Sequence, residues 1–526
     1  MREKPCGPRS HFMMHALTAW PKNSSAEQTV PTILSRLDGL YDDDQVVARD
    51  ATQRLTYGEL IQRCWDIAAL LKKNHIGRLA LHLDNGLDWL VIDLACQLSD
   101  ICLLPLPTFF SNRQVQHALR ETPVDAIVSG TNTVFDLSEQ VTETVRLSGT
   151  AKLWLNRIPA FEDHALIPEN TGKITYTSGS TGTPKGVCLS NQQLIDEAMF
   201  LGSAVGLSKP RHLCLLPLST LLENVAGIYA PLLFGGEVIV PTLEEMGFYG
   251  SSTVEPTTLI ETITRYQPNT LILTPQLLQL LVVSVRNGWQ TPESLKFVAV
   301  GGAKVANQLL IEAWQSGIPA YQGYGLSECA SVVSLNTPRD QITGSCGKPL
   351  QHLNVQIING EVVVNGNAML GYANTPSSWG QQAIHTGDLG YLDARGFLHI
   401  LGRRKNLMIS SYGRNISPEW VESEFLASPI FADFIVFGDA QSHCVALLST
   451  RDSRTTDQQI DDIIQHINQQ LPDYARIRNW QRLPTVLTKT PALITDNGRP
   501  KRAAIAQHYA GQIDQLYNMP VEESHV

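Results

Sequence analysis

The chain changes texture twice along its length, and that limits what it can fold into. Up to Pro338, short apolar runs alternate with turn or helical segments. "RLALHLDNGLDWLVIDLACQLSDICLLPLP" reads as strand, loop, helix, strand. "TLILTPQLLQLLVVSV" and "LKFVAVGGA" each read as an apolar strand followed by a helix or turn. Strands separated by helical segments and apolar at nearly every position belong to βα units with buried, mostly parallel sheets. After Pro338, "NVQIING", "EVVVNG", "GDLGYLD" and "GFLHILGR" are short strands parted by Gly, Asn and Asp, a β-rich meander or small barrel. From Lys405 the texture is mixed again, and "SPEWVESEFLAS" opens with a Ser-Pro-Glu start suited to a helix N-terminus. The expected fold class is α/β: a large N-terminal domain of βα-layered subdomains plus a β-rich subdomain, then a small α+β C-terminal domain.

Composition narrows the class. At 526 residues, a prior of ~100–200 residues per domain gives about three packing units. A hydrophobic fraction of 43% and a charged fraction of 17% fit a globular chain rather than a disordered one. A net charge of -10 argues against a nucleic-acid binder, whose backbone contacts need a basic surface. The 9 cysteines form no C-x-x-C pair, so they read as reduced thiols of a cytoplasmic protein. The N-terminal residues lack the apolar core of a signal peptide. The longest apolar stretch, residues 213–241, is broken by Glu223, Asn224 and glycines, which rules it out as a transmembrane span.

The segment "ITYTSGSTGTPKGVCLS" begins at Ile174 and crowds Thr177, Ser178, Gly179, Ser180, Thr181, Gly182 and Lys185 into one loop after a strand-like stretch. Glycine-freed backbone amides, hydroxyls and an ammonium are phosphate-cradling groups. The Walker spacing G-x-x-x-x-G-K-[ST] is absent, because Lys185 is followed by Gly186. Composition by itself leaves a solvated turn-rich linker as an equal reading. Further segments follow in order: "VGGAK" with Gly301 and Gly302, "YQGYGLSE", "HTGDLGYLD", "LGRRKNLMISSYGRNISPEWVESE" and "NGRPKR".

Taken together, these segments resemble the adenylate-forming superfamily over nearly the whole chain. That superfamily includes acyl-CoA synthetases, firefly luciferase and peptide-synthetase adenylation domains. The resemblance implies an acyl-adenylate made from ATP with release of pyrophosphate, then acyl transfer to a thiol. It implies a domain of residues 1–402 that binds AMP and the acyl group, and a mobile domain of residues 403–526. By the same resemblance, the loop from Thr177 to Lys185 would hold the β- and γ-phosphates. Glu328 would be the metal ligand for Mg²⁺, a hard oxygen suited to that cation. Ser327 would reach the α-phosphate, with Gly325 beside it. Tyr324 would offer a face to adenine, and Asp388 and Arg403 would bind the ribose. Lys405 would be the hinge, and Gly413 would line the thiol channel, where a missing side chain lets the backbone come close.

One departure concerns the catalytic cation. The family places a lysine directly after the glycine of the last loop, whereas here Gly498 is followed by Arg499, Pro500 and Lys501. Either Arg499 supplies the charge or Lys501 reaches in from a shifted loop; the spacing from Gly498 favours Arg499. Arginine's planar fork is no geometric copy of an ammonium.

The stretch "LPLSTLLENVAGIYAPLLFGG" lacks the aspartate of amino-acid-activating relatives. It resembles the "LPLxHxxER" segment of medium- and long-chain fatty acyl-CoA synthetases, with Thr220 in the histidine's place. A fatty acid is therefore the leading substrate and an aryl acid the second. CoA is the default acceptor, and the phosphopantetheine of a separate carrier protein is the rival. A degenerate nucleotide-binding regulatory subunit is the reading from another class. Glu223 is either a gate or a structural charge, with the structural reading favoured. Leu277, Leu278, Leu280 and Leu281 are acyl-tunnel candidates whose simpler reading is core helix.

Overall fold

Strand Thr270–Leu273 is buried at all its positions, as a strand covered on both faces by helices must be. It lies in the middle of a nine-stranded sheet. The parallel strands of that sheet run in the order Ala320–Tyr324, Phe297–Val300, Thr270–Leu273, Arg211–Leu213, Glu237–Ile239 and Val46–Arg49. The computed structural model describes residues 32–130, 143–146, 154–157, 166–177, 185–249, 253–495 and 499–519.

A second, eight-stranded sheet is built around the parallel strands Cys102–Pro105, Arg78–His82 and Ala126–Ser129. Helix Tyr57–Lys73 packs beside helix Leu87–Leu98. Its capping box joins Thr56 and Glu59, and it buries Tyr57, Leu60, Cys64, Ile67, Ala68 and Leu71. That spacing is one face of a helix, and each such leucine contributes about 1.5–3 kcal/mol on burial.

The β-rich segment forms an open four-stranded antiparallel sheet, Asn354–Ile358, Glu361–Asn365, Ala383–Leu392 and Leu398–Arg403, rather than a barrel. Its first hairpin turns on Asn359 and Gly360 with φ of 51° and 78°. This left-handed pair matches the twist of the flanking strands.

In the C-terminal domain, strands Phe431–Phe437, Cys444–Thr450 and Ile477–Arg482 form a three-stranded sheet. Phe434, Val436, Ala446 and Leu448 pack with Val421, Phe425, Ile460 and Ile464. Ile435, Val445 and Leu447 pack with Ile505, Ile513 and Leu516. Alternate side chains of a strand point to opposite faces, so one strand set builds both half-cores. Helix Pro418–Leu426 starts where the sequence places it, with Ser417 accepting from the Trp420 N–H. Leu277, Leu278 and Leu281 are buried in a core cluster, and Leu280 packs against it.

A buried polar network ties the strand leading into the glycine-rich loop to its neighbours. Lys173 donates to Asp93 Oδ1 at 2.6 Å, to the Tyr229 hydroxyl at 2.8 Å and to Asn224. The Tyr229 hydroxyl and Asn224 Nδ2 donate to Asp93 Oδ2 at 2.6 and 3.0 Å. Burial lowers the Lys173 pKa and the Asp93 carboxylate opposes it. Lys173→Met strands that carboxylate without its partner and is expected to cost ~3–5 kcal/mol, read as a lower urea midpoint. The double change Lys173→Met with Asp93→Leu should recover most of the loss. A single-variant loss under about 1 kcal/mol would make the network dispensable.

Candidate active site

The parallel strands Phe297–Val300 and Ala320–Tyr324 end at the same edge of the large sheet, where open α/β sheets present their ligand sites. Gly301 and Gly302 follow the first strand, and Tyr324 closes the second. Gly302 holds φ of +82°. A Cβ on Gly325 would lie 1.8 Å from the Ser331 carbonyl oxygen, so the chain folds back on itself there only because no side chain is present.

A charged cluster faces these glycines. The Tyr324 hydroxyl donates to Asp388 Oδ2 at 2.6 Å, and Arg403 Nε donates to Asp388 Oδ1 at 2.8 Å. Asp388 and Arg403 are cross-strand partners, which fixes their pairing through the sheet register. The Thr386 hydroxyl accepts from the Asp388 N–H at 3.1 Å. Asp388 is 3% exposed. Burial pushes its carboxyl above the usual range, while Arg403 and Tyr324 pull the other way.

Arg499 enters from the C-terminal domain and donates to the carbonyl oxygen of Gly302. There it feels the charges of Arg403 and Asp388. Its loop is pinned by the Arg499 N–H donating to Thr495 Oγ1 at 3.0 Å and by an antiparallel bridge between Ile494 and Pro500. Lys501 sits at the start of helix Arg502–His508, its N–H bonded to the Leu493 carbonyl at 2.8 Å. No hydrogen bond or ion pair links its side chain to Gly302, Tyr324 or Asp388 among the described residues. The geometry brings Arg499 to the cluster and leaves Lys501 outside it.

A second group starts from two strands of the eight-stranded sheet. Thr177 and Lys185 are paired across strands Lys173–Thr177 and Lys185–Leu189. Ser178, Gly179, Ser180, Thr181 and Gly182 lie outside the described residues. The Lys185 ammonium stands 5.0 Å from the centre of the Tyr372 ring, and the Tyr372 hydroxyl donates to Glu328 Oε1 at 2.8 Å. Glu328 follows Ser327 in the short 3-10 turn Ser327–Cys329. Beneath that turn, buried Glu197 accepts from the Val332 N–H at 3.0 Å and pairs with His352 at 3.0 Å.

Sequence reasoning missed Tyr372, Glu197 and His352. A tyrosine in "GYAN" carries no local signal that it will orient a glutamate, and buried Glu197 resembles any mid-helix acid.

Lys405 lies in the turn Arg404–Asn406. Burial lowers its pKa, Arg403 adds to that, and Glu419 opposes it. Gly402 before it has φ of +155°, and a Cβ there would lie 2.3 Å from Ser417 Oγ. Gly413 is not brought to the cluster. It turns at φ +73°, its N–H donates to the Ser410 carbonyl at 2.8 Å, and Ser411 binds Gln441 within the C-terminal domain. Helix Pro275–Arg286 holds that domain through Gln279, whose Nε2 donates to the carbonyls of Leu426 and Ala427 at 2.9 and 2.7 Å.

An apolar cavity of about 60 Å³ adjoins the same sheet; Leu201, His212, Leu222, Phe234, Leu271 and Ala299 are among its lining residues. The four leucines expected as tunnel candidates do not line it. Among the described residues no helix is long and apolar enough to cross a membrane, and the described cysteines are free thiols.

Two βα-layered sheets, an antiparallel sheet carrying an acid–guanidinium pair, and a small domain reaching in with one cation together define an adenylate-forming enzyme. A family model described as AMP-binding enzyme matches residues 39–372, and one described as AMP-binding enzyme C-terminal domain matches residues 405–520. The chain belongs to the AMP-binding enzyme family.

It is similar to 2-succinylbenzoate–CoA ligase of Bacillus velezensis, 32% identical over 290 residues, which is 51% of this chain and 56% of that protein. The chain thus spans about half the length of that relative. Long-chain-fatty-acid–CoA ligase FadD15 of Mycobacterium bovis is 23% identical over 585 residues, covering 89% of this chain and 95% of that one. The O-succinylbenzoate coenzyme A synthetase of Bacillus subtilis, solved in complex with ATP and magnesium ion, shares the fold. Its TM-score is 0.72 at 23% identity, over 90% of this chain and 98% of that one.

Proposed function

We propose that this chain is an AMP-forming acid–thiol ligase. A substrate carboxylate attacks the α-phosphorus of ATP, pyrophosphate leaves, and the acyl group then passes from the adenylate to the thiol of CoA with release of AMP. The observation that carries the reading is Arg499 crossing from the C-terminal domain to the Gly302 carbonyl beside Tyr324, Asp388 and Arg403. A protein that merely stores nucleotide has no use for a second domain's cation there, whereas phosphoryl chemistry is largely positioning and charge neutralisation.

In this reading Asp388 accepts from the ribose hydroxyls with Arg403 beside it, and Tyr324 stacks on adenine. Lys185 and the loop from Thr177 to Gly182 hold the outer phosphates, and Ser327 reaches the α-phosphate. Glu328 fits a Mg²⁺ ligand: it is a half-buried hard oxygen donor with one oxygen steadied by Tyr372. When bound, the ion supplies neutralising charge on the phosphates. CoA as acceptor is supported by the names of both relatives. For the acid, a fatty acid leads and an aryl acid is second. The free thiols fit a cytoplasmic setting.

Pyrophosphate exchange across a panel of carboxylic acids tests the reading. No exchange with any acid sinks it in favour of a regulatory nucleotide binder. Product formed on a phosphopantetheine carrier but not on CoA changes the acceptor.

The domain boundary is assigned at residues 402 and 403, with Lys405 as the hinge and Gly413 arriving at the thiol channel only after rotation. Lys405→Pro is expected to leave pyrophosphate exchange within about threefold of wild type and stop thioester formation, because proline fixes φ near -65°. Equal loss of both half-reactions would move the hinge elsewhere.

A further inference from the structure

His212 and Thr270 are Cα partners on adjacent parallel strands, and both line the apolar cavity. His212 is the cavity's sole ionisable lining residue among those described, and neither of its nitrogens is free. Nδ1 shares a hydrogen bond with Thr270 Oγ1 at 2.8 Å, and Nε2 meets Glu223 Oε1 at 3.0 Å. Glu223 is fully buried behind the ring. The Cys214 thiol stands near it.

The backbone makes room for this pair. Glu223 opens the π-helical segment Glu223–Tyr229, a rare distortion frequently found at functional sites. Gly227, one turn on, is where a Cβ would lie 2.7 Å from His212 Nε2 and 2.8 Å from Glu223 Oε1. A side chain at position 227 would force the couple apart.

Burial penalises any net charge here, so with one titrating proton between them the imidazole and the carboxylate together carry none. A cavity walled by leucine, alanine and phenylalanine with this one compensated pair offers no cation to an anion. Burying a carboxylate without a counter-charge is strongly unfavourable.

We propose that the apolar cavity, lined by Phe297 and Ala299 of the strand that runs into Gly301, is the acyl pocket and that the His212–Glu223 couple is its specificity-determining element, admitting acids whose acyl group is uncharged and apolar and rejecting those with a second carboxylate. This rests on the ligase reading above. It separates the chain from its relatives named for 2-succinylbenzoate, which carries two carboxylates.

The test uses the full-length chain and two matched acid pairs. Decanoate is compared with decanedioate, and 4-oxo-4-phenylbutanoate with 2-succinylbenzoate; each pair differs by one distal carboxylate. In pyrophosphate exchange the monoacid of each pair is expected to exceed its diacid at least a hundredfold in kcat/KM. Glu223→Gln removes the carboxylate from the couple, so that a proton taken up by the imidazole is no longer offset. Leu222→Arg places a cation on the wall directly. Each should narrow the ratio at least tenfold, and a purely structural role would lower both acids together.

Ligand-induced shifts in Tm with the same pairs, measured in the presence of ATP, read the pocket independently of catalysis. Monoacid binding without exchange would sink the ligase reading and leave the selectivity standing. Equal use or equal binding of the diacids by wild type overturns the selectivity, as does an unchanged ratio in both variants.

Discussion

Replacing Arg499 by alanine is expected to lower pyrophosphate exchange by two to three powers of ten, while thioester formation from supplied acyl-adenylate stays near wild type. Loss of a cation that meets developing phosphate charge in a preorganised site costs ~3–4 kcal/mol. The side chain already reaches the Gly302 carbonyl, and its loop is held by Thr495 and by the Ile494–Pro500 bridge. The cation therefore needs little rearrangement to act. Lys501→Ala is expected to change exchange less than threefold, since Lys501 stands at the base of helix Arg502–His508. Arg499→Lys tests geometry apart from charge, because an ammonium lacks the planar fork. A large loss with Lys501→Ala and little with Arg499→Ala would reverse the assignment.

Glu328→Gln is expected to reduce pyrophosphate exchange to below about a tenth of wild type, at every acid concentration. The substitution keeps the size of the side chain and leaves an oxygen to accept from Tyr372, whose hydroxyl now donates to Oε1 at 2.8 Å. What it removes is the negative charge that would anchor Mg²⁺ on the triphosphate. An unchanged Tm alongside the lost exchange separates this from a folding defect. Exchange above a tenth corresponds to under ~1.4 kcal/mol of lost transition-state stabilisation, too little for a metal anchor, and would remove that role from Glu328. Tyr372→Phe frees the carboxylate without changing its charge, so its loss should be much smaller.

The fold was largely legible because its signals are local. Helix Tyr57–Lys73 shows its apolar face and its Thr56–Glu59 cap within one stretch. Strands such as Thr270–Leu273 are apolar at most positions because both faces are buried, and "ING" encodes a hairpin through the left-handed backbone that Asn359 and Gly360 accept. The β-rich segment was legible as strands, yet open sheet against barrel depends on which edges pair, and no single strand carries that information.

By itself the sequence determined the class of machinery, through the ordered motifs and the glycines at tight turns. Tertiary structure brought Arg499, and not Lys501, to the Gly302 carbonyl, a contact spanning 197 residues between two domains that no local spacing specifies. It also decided that Tyr324 and Arg403 grip Asp388, that Tyr372 steadies Glu328, and that the four candidate leucines are core while the cavity lies elsewhere. A side chain's neighbours across sheets and domains follow from packing and register, which local spacing does not specify. Glu223 shows this best. In sequence it is one acid interrupting an apolar run; in the fold it is a buried partner of the histidine lining the cavity.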